Sequence, residues 1–351
     1  MKRIDQLLAE TVARHGSDLH LLADEPPRAR LYGKLIRLSE EVISNSDLAG
    51  YLLDIMSDYS RKQFENYDGV DFAHQLKGVS RFRVNAFRHI NGIGAVFRAV
   101  PNMATTLADL NMPSVIKALC RHRQGLILVT GKTGSGKSTT LAAMIDEINR
   151  HRRGHIITIE DPIEYVHERI RCLISQREVG RHTPSFAEAL RSALREDPDI
   201  ILVGEMRDLD TISLAVAAAE TGVLVFGTLH TNRASTTVDR IINAFPMKKQ
   251  PQVRSMLSTS LRAVIAQQLV EKKDEDGQMA AVEILINTPA VANLIREGKT
   301  EQLETAMQSG ASLGMQTMDT TLLKLLDTTV ISETEAYEKA FKKELFEHPD
   351  S

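Results

Sequence analysis

The sequence predicts a two-domain α/β protein, and three observations carry that prediction. From residue 125 onward, short apolar segments alternate with amphipathic helical ones, the pattern of a parallel sheet covered on both faces. Inside that region lies Gly131-Lys132-Thr133-Gly134-Ser135-Gly136-Lys137-Ser138, which fits the phosphate-loop pattern G-x-x-x-x-G-K-[ST] in full. Ahead of it, residues 1–101 read as a small α+β domain with hairpin signals of its own. The division is therefore 1–101, a linker at 102–113, and 114–351 with a helical C-terminal region.

Taken in order, residues 3–14 predict a short amphipathic helix, because Ile4, Leu7, Leu8 and Val12 recur at helical spacing. His15-Gly16 ends it, and Ser17-Asp18-Leu19-His20-Leu21 begins a strand. Pro26-Pro27 breaks the chain. Residues 29–38 predict a hairpin turning at Tyr32-Gly33-Lys34, and 46–66 are helix-rich. Strand-like segments at 81–89 and 94–100 are joined by the hairpin dipeptide Asn91-Gly92, and Pro101 stops the pattern. Residues 102–113 are polar and turn-rich, as a linker would be.

A helix follows over 113–120. The apolar run 126–130, bounded by Gly125 and Gly131, predicts a buried parallel strand. Residues 138–149 predict a helix with Leu141, Met144, Ile145 and Ile148 on one stripe. Further strands are expected at 155–159, 200–204, 223–229 and 280–286, and helices at 185–195, 209–221, 236–244 and 252–270. Gly222 closes the helix 209–221. Residues 272–277 form a charged turn, and the remainder reads as helical.

A glycine loop between strand and helix turns backbone N–H groups inward, where they cradle phosphate oxygens at a helix N-terminus. Lys137 adds a positive charge at the β- and γ-phosphates, and the Ser138 hydroxyl is an oxygen ligand for Mg²⁺. The phosphate-binding set is Gly131, Thr133, Gly134, Ser135, Gly136, Lys137, Ser138 and Thr139. Hydrolysis also needs a metal organiser and a group that activates water. Acids at the ends of buried strands qualify, because ligands gather there in open α/β sheets. Ile200-Ile201-Leu202-Val203-Gly204-Glu205 has the form of a Walker B strand, with Glu205 set to take the metal opposite Ser138. Ile157-Thr158-Ile159-Glu160-Asp161-Pro162-Ile163-Glu164 ends a second strand. Its carboxylates Glu160, Asp161 and Glu164 are all candidates for the base that activates water. His230, at the end of a third strand, is either a γ-phosphate sensor or a structural histidine.

Composition narrows the function classes. The chain carries 25% charged residues and a formal net charge of −3, which gives no bulk electrostatic case for nucleic acid. The basic runs Arg121-His122-Arg123 and His151-Arg152-Arg153 are short, and aromatics are too scarce to stack bases. No run of about eighteen apolar residues predicts a membrane span. Met1-Lys2-Arg3 is followed by Asp5 and polar residues, which argues against a signal peptide. Cys120 and Cys172 stand far apart without His or Cys partners at metal spacing. They read as ordinary thiols in a reducing compartment, and the chain as cytosolic.

These residues resemble one known family. Thr158-Ile159-Glu160-Asp161-Pro162-Ile163-Glu164 resembles the Asp box of the secretion ATPase superfamily. Gly204-Glu205-Met206-Arg207-Asp208 resembles its Walker B region, and Thr228-Leu229-His230-Thr231 its His box. The likeness extends to Arg81-Phe82-Arg83-Val84-Asn85, Gln176-Arg177-Glu178-Val179 and Gly314-Met315-Gln316-Thr317, and is strongest toward the type IV pilus retraction (twitching motility) ATPases. It implies a homohexamer of two-lobed subunits, in which a PAS-like N-terminal domain packs on a RecA-like ATPase domain with nucleotide between them. It implies ATP and Mg²⁺ as ligands, Glu164 as the catalytic base, Glu205 as the Walker B acid and His230 as the His-box residue. Arg83 and Arg98 match N-domain arginines that reach the nucleotide phosphates, a role suited to the fixed guanidinium fork. The implied partners are an inner-membrane pilus platform protein and a paralogous pilus ATPase, and the implied location is the cytoplasmic base of the pilus machine.

Related functions within the superfamily are an accessory paralogue and an extension or secretion ATPase. The secretion type usually carries a longer N-terminal region and a tetracysteine zinc insert, which two cysteines cannot form. An accessory protein is expected to lose the base or the Walker B acid, and both are present. One departure stands out. Retraction ATPases carry Ala-Ile-Arg-Asn-Leu-Ile-Arg-Glu where this chain has Ala290-Val291-Ala292-Asn293-Leu294-Ile295-Arg296-Glu297. Ala292 replaces the first arginine, in a helix that the family links to retraction; hydrolysis is expected to survive the change.

Overall fold

The computed structural model describes residues 2–31, 34–100, 105–273 and 277–346. The chain divides into two compact units, residues 1–103 with Glu164–Val166, and residues 104–163 with 167–351. Of the expected linker, residues 105–113 form turns without helix or strand, while 102–104 lie outside the described residues, as do Pro101 and the hairpin turn at Tyr32-Gly33.

The first unit runs α1 (Arg3–Ala13), β1 (Gly16–Leu22), β2 (Arg28–Leu31), β3 (Lys34–Arg37), α2 (Asn45–Ile55), α3 (Asp58–Asn66), β4 (Gly69–Leu76), β5 (Ser80–His89) and β6 (Gly92–Val100). Its strands form one sheet in the order β3-β2-β1-β6-β5-β4, antiparallel throughout. Strand alternation sends Phe82, Val84 and Ala86 of β5 inward, where they meet Phe97 and the α1 residues Ile4, Leu7 and Leu8. The serines at positions 44 and 57 cap α2 and α3, each accepting a backbone N–H three residues on. The strand β4 was not expected from the sequence. The β5–β6 turn also falls one residue earlier than the dipeptide suggested, at Ile90-Asn91, because His89 pairs with Gly92. Gly92 has φ +129°, and a Cβ there would lie 2.4 Å from Asn45 Oδ1, so this position takes only glycine.

The second unit runs α4 (Ser114–Leu119), β7 (Gly125–Thr130), α5 (Lys137–His151), β8 (His155–Glu160), β9 (Leu173–Glu178), α6 (Phe186–Ala193), β10 (Ile200–Val203), α7 (Leu209–Glu220), β11 (Leu224–Leu229), α8 (Ala234–Asn243), α9 (Gln250–Ser260), β12 (Leu261–Glu271) and β13 (Gln278–Ile286). Four short helices follow: α10 (Pro289–Glu297), α11 (Leu303–Ser309), α12 (Met318–Asp327) and α13 (Glu333–Lys339). The sheet order is β13-β12-β7-β11-β10-β8-β9. Every pair is parallel except β12–β13. Alternate strand residues sort onto two faces. Ile127, Val129, Leu202 and Phe226 pack with Leu141, Met144, Ile145 and Ile148 of α5. Leu126, Leu128, Ile201 and Val225 pack with Leu190, Ile212, Val238 and Leu257 of α6 to α9.

The expected helix 252–270 is corrected by this arrangement. Helix α9 stops at Ser260, and Leu261 begins a strand. Ala263, Val264, Ile265 and Ala266 are all fully buried between β7 and β13, where an extended backbone satisfies its hydrogen bonds on both sides. No glycine or proline marks the switch at residues 260–261. Strand β9, also unexpected, pairs along β8 at the far edge.

Candidate functional site

Strands β7, β11, β10 and β8 are sheet neighbours in that order and run in the same direction. Thr130 pairs with Leu229, and Val203 pairs with both Gly227 and Ile159, so their C-terminal ends share one edge. Along that edge the chain places, in order, the 131–138 loop, His230, Glu205, and Glu160 at the end of β8. This is where an open α/β sheet binds its ligand.

The loop conforms to its motif for steric reasons. Gly131, Gly134 and Gly136 all have φ between +80° and +144°. A Cβ on Gly131 would lie 2.4 Å from Ser135 Oγ and from the Gln267 carbonyl oxygen. Gly136 caps α5, so Lys137 and Ser138 open the helix and its N-terminus follows directly on the loop. Lys137 Nζ reaches back across the loop, donating to the carbonyls of Gly131 at 2.9 Å and Lys132 at 3.0 Å. From β12, the fully buried Gln267 donates its amide to the Ser135 carbonyl and so anchors the crown of the loop.

After β10, the chain passes Gly204, where a Cβ would meet the Ile159 carbonyl oxygen at 3.1 Å and Glu160 Cα at 3.2 Å. Glu205 is held from two sides. Arg207 Nη2 donates to Oε2 at 2.6 Å while its Nε lies 2.6 Å from Oε1. Across the gap to β11, His230 Nε2 lies 2.9 Å from the same Oε1. The hydrogen bond from Arg207 outweighs the cost of burial and holds the Glu205 carboxyl below its ordinary range. Asp208 has a different task. It caps α7, accepting from Thr211 N at 2.8 Å and Thr211 Oγ1 at 2.7 Å.

Partners set Glu160, at the end of β8, apart from the two acids that follow it. Glu160 Oε1 accepts from Thr158 Oγ1 at 2.6 Å and from Gln176 Nε2 at 3.2 Å, which ties it to the sheet. Asp161 and Glu164 are exposed on the segment 161–172, which has no helix or strand. Among the described residues neither makes a hydrogen bond or ion pair, the condition a base needs if it is to engage water.

In the first unit, Arg83 and Arg98 sit directly opposite each other on β5 and β6. Arg98 Nε donates to Asp18 Oδ1 at 2.8 Å, across the pairing of β6 with β1. Burial alone would raise the Asp18 pKa, but hydrogen bonds from Ser17 and Arg98 overcome it and hold the carboxyl below its usual value. Arg83 is exposed and, among the described residues, has no such partner.

Sequence reasoning named Arg207 only as part of a motif; its place two residues after a strand-end acid was the available signal. Gln267 was missed because its segment read as helix. Cys120 and Cys172 are both buried, and burial pushes the Cys120 thiol up to about 12, away from the thiolate form. Among the described residues no group of three or more His, Cys, Asp or Glu side chains is placed to hold a metal. A cation at this edge would draw on the Ser138 hydroxyl, the ionised Glu205 and phosphate oxygens, a donor set that suits a hard ion. Ala292 is half-buried on α10, whose start is capped by Thr288. No helix among the described residues is long and apolar enough to cross a membrane.

Residues 1–345 match the family model described as "Type II/IV secretion system protein". The chain is 53% identical to the "Type IV pilus retractation ATPase PilT" of Pseudomonas aeruginosa, over 96% of this chain and 98% of that protein. It is 41% identical to the "Type IV pilus ATPase PilU" of the same organism, over 92% of this chain and 84% of that protein. The structure described as "Crystal Structure of the Pilus Retraction Motor PilT and Bound ADP" superposes with a TM-score of 0.92 at 44% identity, covering 99% of both chains.

Proposed function

Because the chain belongs to the type II/IV secretion system protein family, we propose that it is a motor ATPase that hydrolyses ATP to power type IV pilus retraction. The observation that carries this reading is the shared edge of β7, β11, β10 and β8, which collects a phosphate loop and a strapped acid along one side of the sheet.

The 131–138 loop receives the phosphates through backbone N–H groups, and Lys137 exchanges its carbonyl partners for phosphate oxygens. Ser138 and Glu205 hold the metal side of the site. Mg²⁺, when bound, neutralises phosphate charge as a Lewis acid. Glu164 accepts a proton from the attacking water. His230 keeps Glu205 oriented and lies between it and the phosphate loop along the sheet. Arg83 and Arg98 supply charge to the phosphates. Like charges opposite each other across a strand pair repel, and Asp18 offsets only one of them, so an anion beside the pair is favoured. The protein works as a homohexamer at the cytoplasmic base of the pilus machine, on an inner-membrane platform protein.

Deletion with complementation tests the direction of the motor. Retraction predicts hyperpiliated cells that do not twitch; loss of pili would instead indicate an extension motor. Static light scattering of the purified chain with nucleotide tests the hexamer. A second reading, an accessory pilus ATPase, has support from the likeness to PilU and from Ala292. Turnover by the isolated chain separates the two, because an accessory protein would need its paralogue.

A further inference from the structure

The segment 161–172 joins two adjacent parallel strands without regular structure of its own, so its backbone N–H groups need partners from elsewhere. Three side chains supply five of them. Glu178 Oε2 accepts from Ile163 N at 3.2 Å, and Gln176 Oε1 accepts from His167 N at 2.9 Å. At the far end, the fully buried Asn149 of α5 accepts from Ile170 N, Arg171 N and Cys172 N at 3.2–3.3 Å and donates to the Glu168 carbonyl at 2.7 Å.

The first two contacts are placed unusually. Residues 176 and 178 are two apart on β9, so both side chains leave the same face of the strand. The amides they hold, 163 and 167, bracket Glu164–Val166 closely on each side. The orientation of the Gln176 amide is settled by its other end, since its Nε2 donates to Glu160 Oε1 and leaves Oε1 facing His167. Glu178 is 5% exposed, so its carboxylate is committed to the interior.

We propose that Gln176 and Glu178 are positioning residues for Glu164, fixing the short span that carries it so that its carboxylate meets the attacking water in one place. The inference rests on the reading of Glu164 as the base. Both side chains act on the span through the backbone amides at 163 and 167, so the proposal predicts a change in turnover with nucleotide affinity retained.

The test is steady-state ATPase kinetics and binding of a fluorescent ADP analogue for Gln176→Met and Glu178→Leu, each alone and combined with Glu164→Gln. A displaced base predicts a fall in kcat of about tenfold or more, with KM and analogue affinity unchanged within about twofold. Glu178→Gln keeps an acceptor for Ile163 N–H and should retain parent kcat within about twofold. In the Glu164→Gln background the added substitutions should cost nothing further, because the group they position is gone. Parent kcat in both variants alongside an inactive Glu164→Gln overturns the proposal. So does a further loss in the double variants, or weakened analogue binding in both single variants, which would mark a general scaffold role. Parent turnover in Glu164→Gln removes the base reading itself and this inference with it.

Discussion

Two strand ends one position apart in the sheet treat their acids in opposite ways. After β10, Glu205 is gripped by both nitrogens of one guanidinium face and by an imidazole, and its charge is held in place. After β8, Glu164 has no side-chain partner among the described residues, and the order lies instead in the backbone amides beside it. The difference follows from the tasks. A carboxylate that organises a metal must stay ionised and still, which charge-assisted hydrogen bonds achieve. A base must keep its lone pairs free, so any restraint has to come through the main chain.

Substitutions can break or sharpen this contrast. The largest effect should come from Glu164→Gln, a fall in kcat of about 10³-fold with nucleotide affinity retained, read by turnover and by binding of a labelled nucleotide. Equal loss of affinity and turnover would place Glu164 in binding instead. Next is Arg207→Ala, which releases Glu205 from its strap. Turnover should fall by about tenfold to a hundredfold, with the lost charge-assisted bonds setting the range. Raised Mg²⁺ should restore part of it, as a titration of rate against metal would show. Arg207→Lys keeps the charge but not the fork, and should cost only a few-fold in the same assay.

The smallest effect concerns the loop itself. Burial pushes the His167 imidazole down to about 4, with Asp146 opposing in part. Its folded pKa is depressed, so the unfolded chain takes up the proton first. Stability is complete above about 6.5 and declines as pH falls toward 4. Between pH 6.5 and 5.5 this amounts to about 1 kcal/mol, or roughly 2–4 °C in melting temperature. His167→Gln should flatten that slope in a thermal melt.

The same contrast explains how far the sequence could be read. The phosphate loop, the β10 strand and Glu205 are legible because local chemistry dictates them: positive-φ glycines, an unbroken buried run, an acid at its end. The partners are less so. Strand β9 reads Leu173-Ile174-Ser175-Gln176-Arg177-Glu178, and its polar residues hold a loop rather than face water, which defeats an alternation rule. Strand β12 continues directly from α9, and an apolar run of its length fits either period until β7 and β13 are known to flank it. Arg83 and Arg98 read as solvated strand residues; only the resemblance attached phosphates to them, and the cross-strand pairing with Asp18 shows that one has a structural partner already.

The place of β12 bears on how the protein is made. Strand β7 carries the phosphate loop, yet one of its two neighbours is encoded more than a hundred residues later, along with Gln267, the buried anchor of Ser135. At ordinary elongation rates that interval lasts on the order of ten seconds. Until then the nascent loop has an open strand edge beside it and no lock on its crown. A ribosome stalled before β12 would therefore display the full nucleotide motif without a finished nucleotide site.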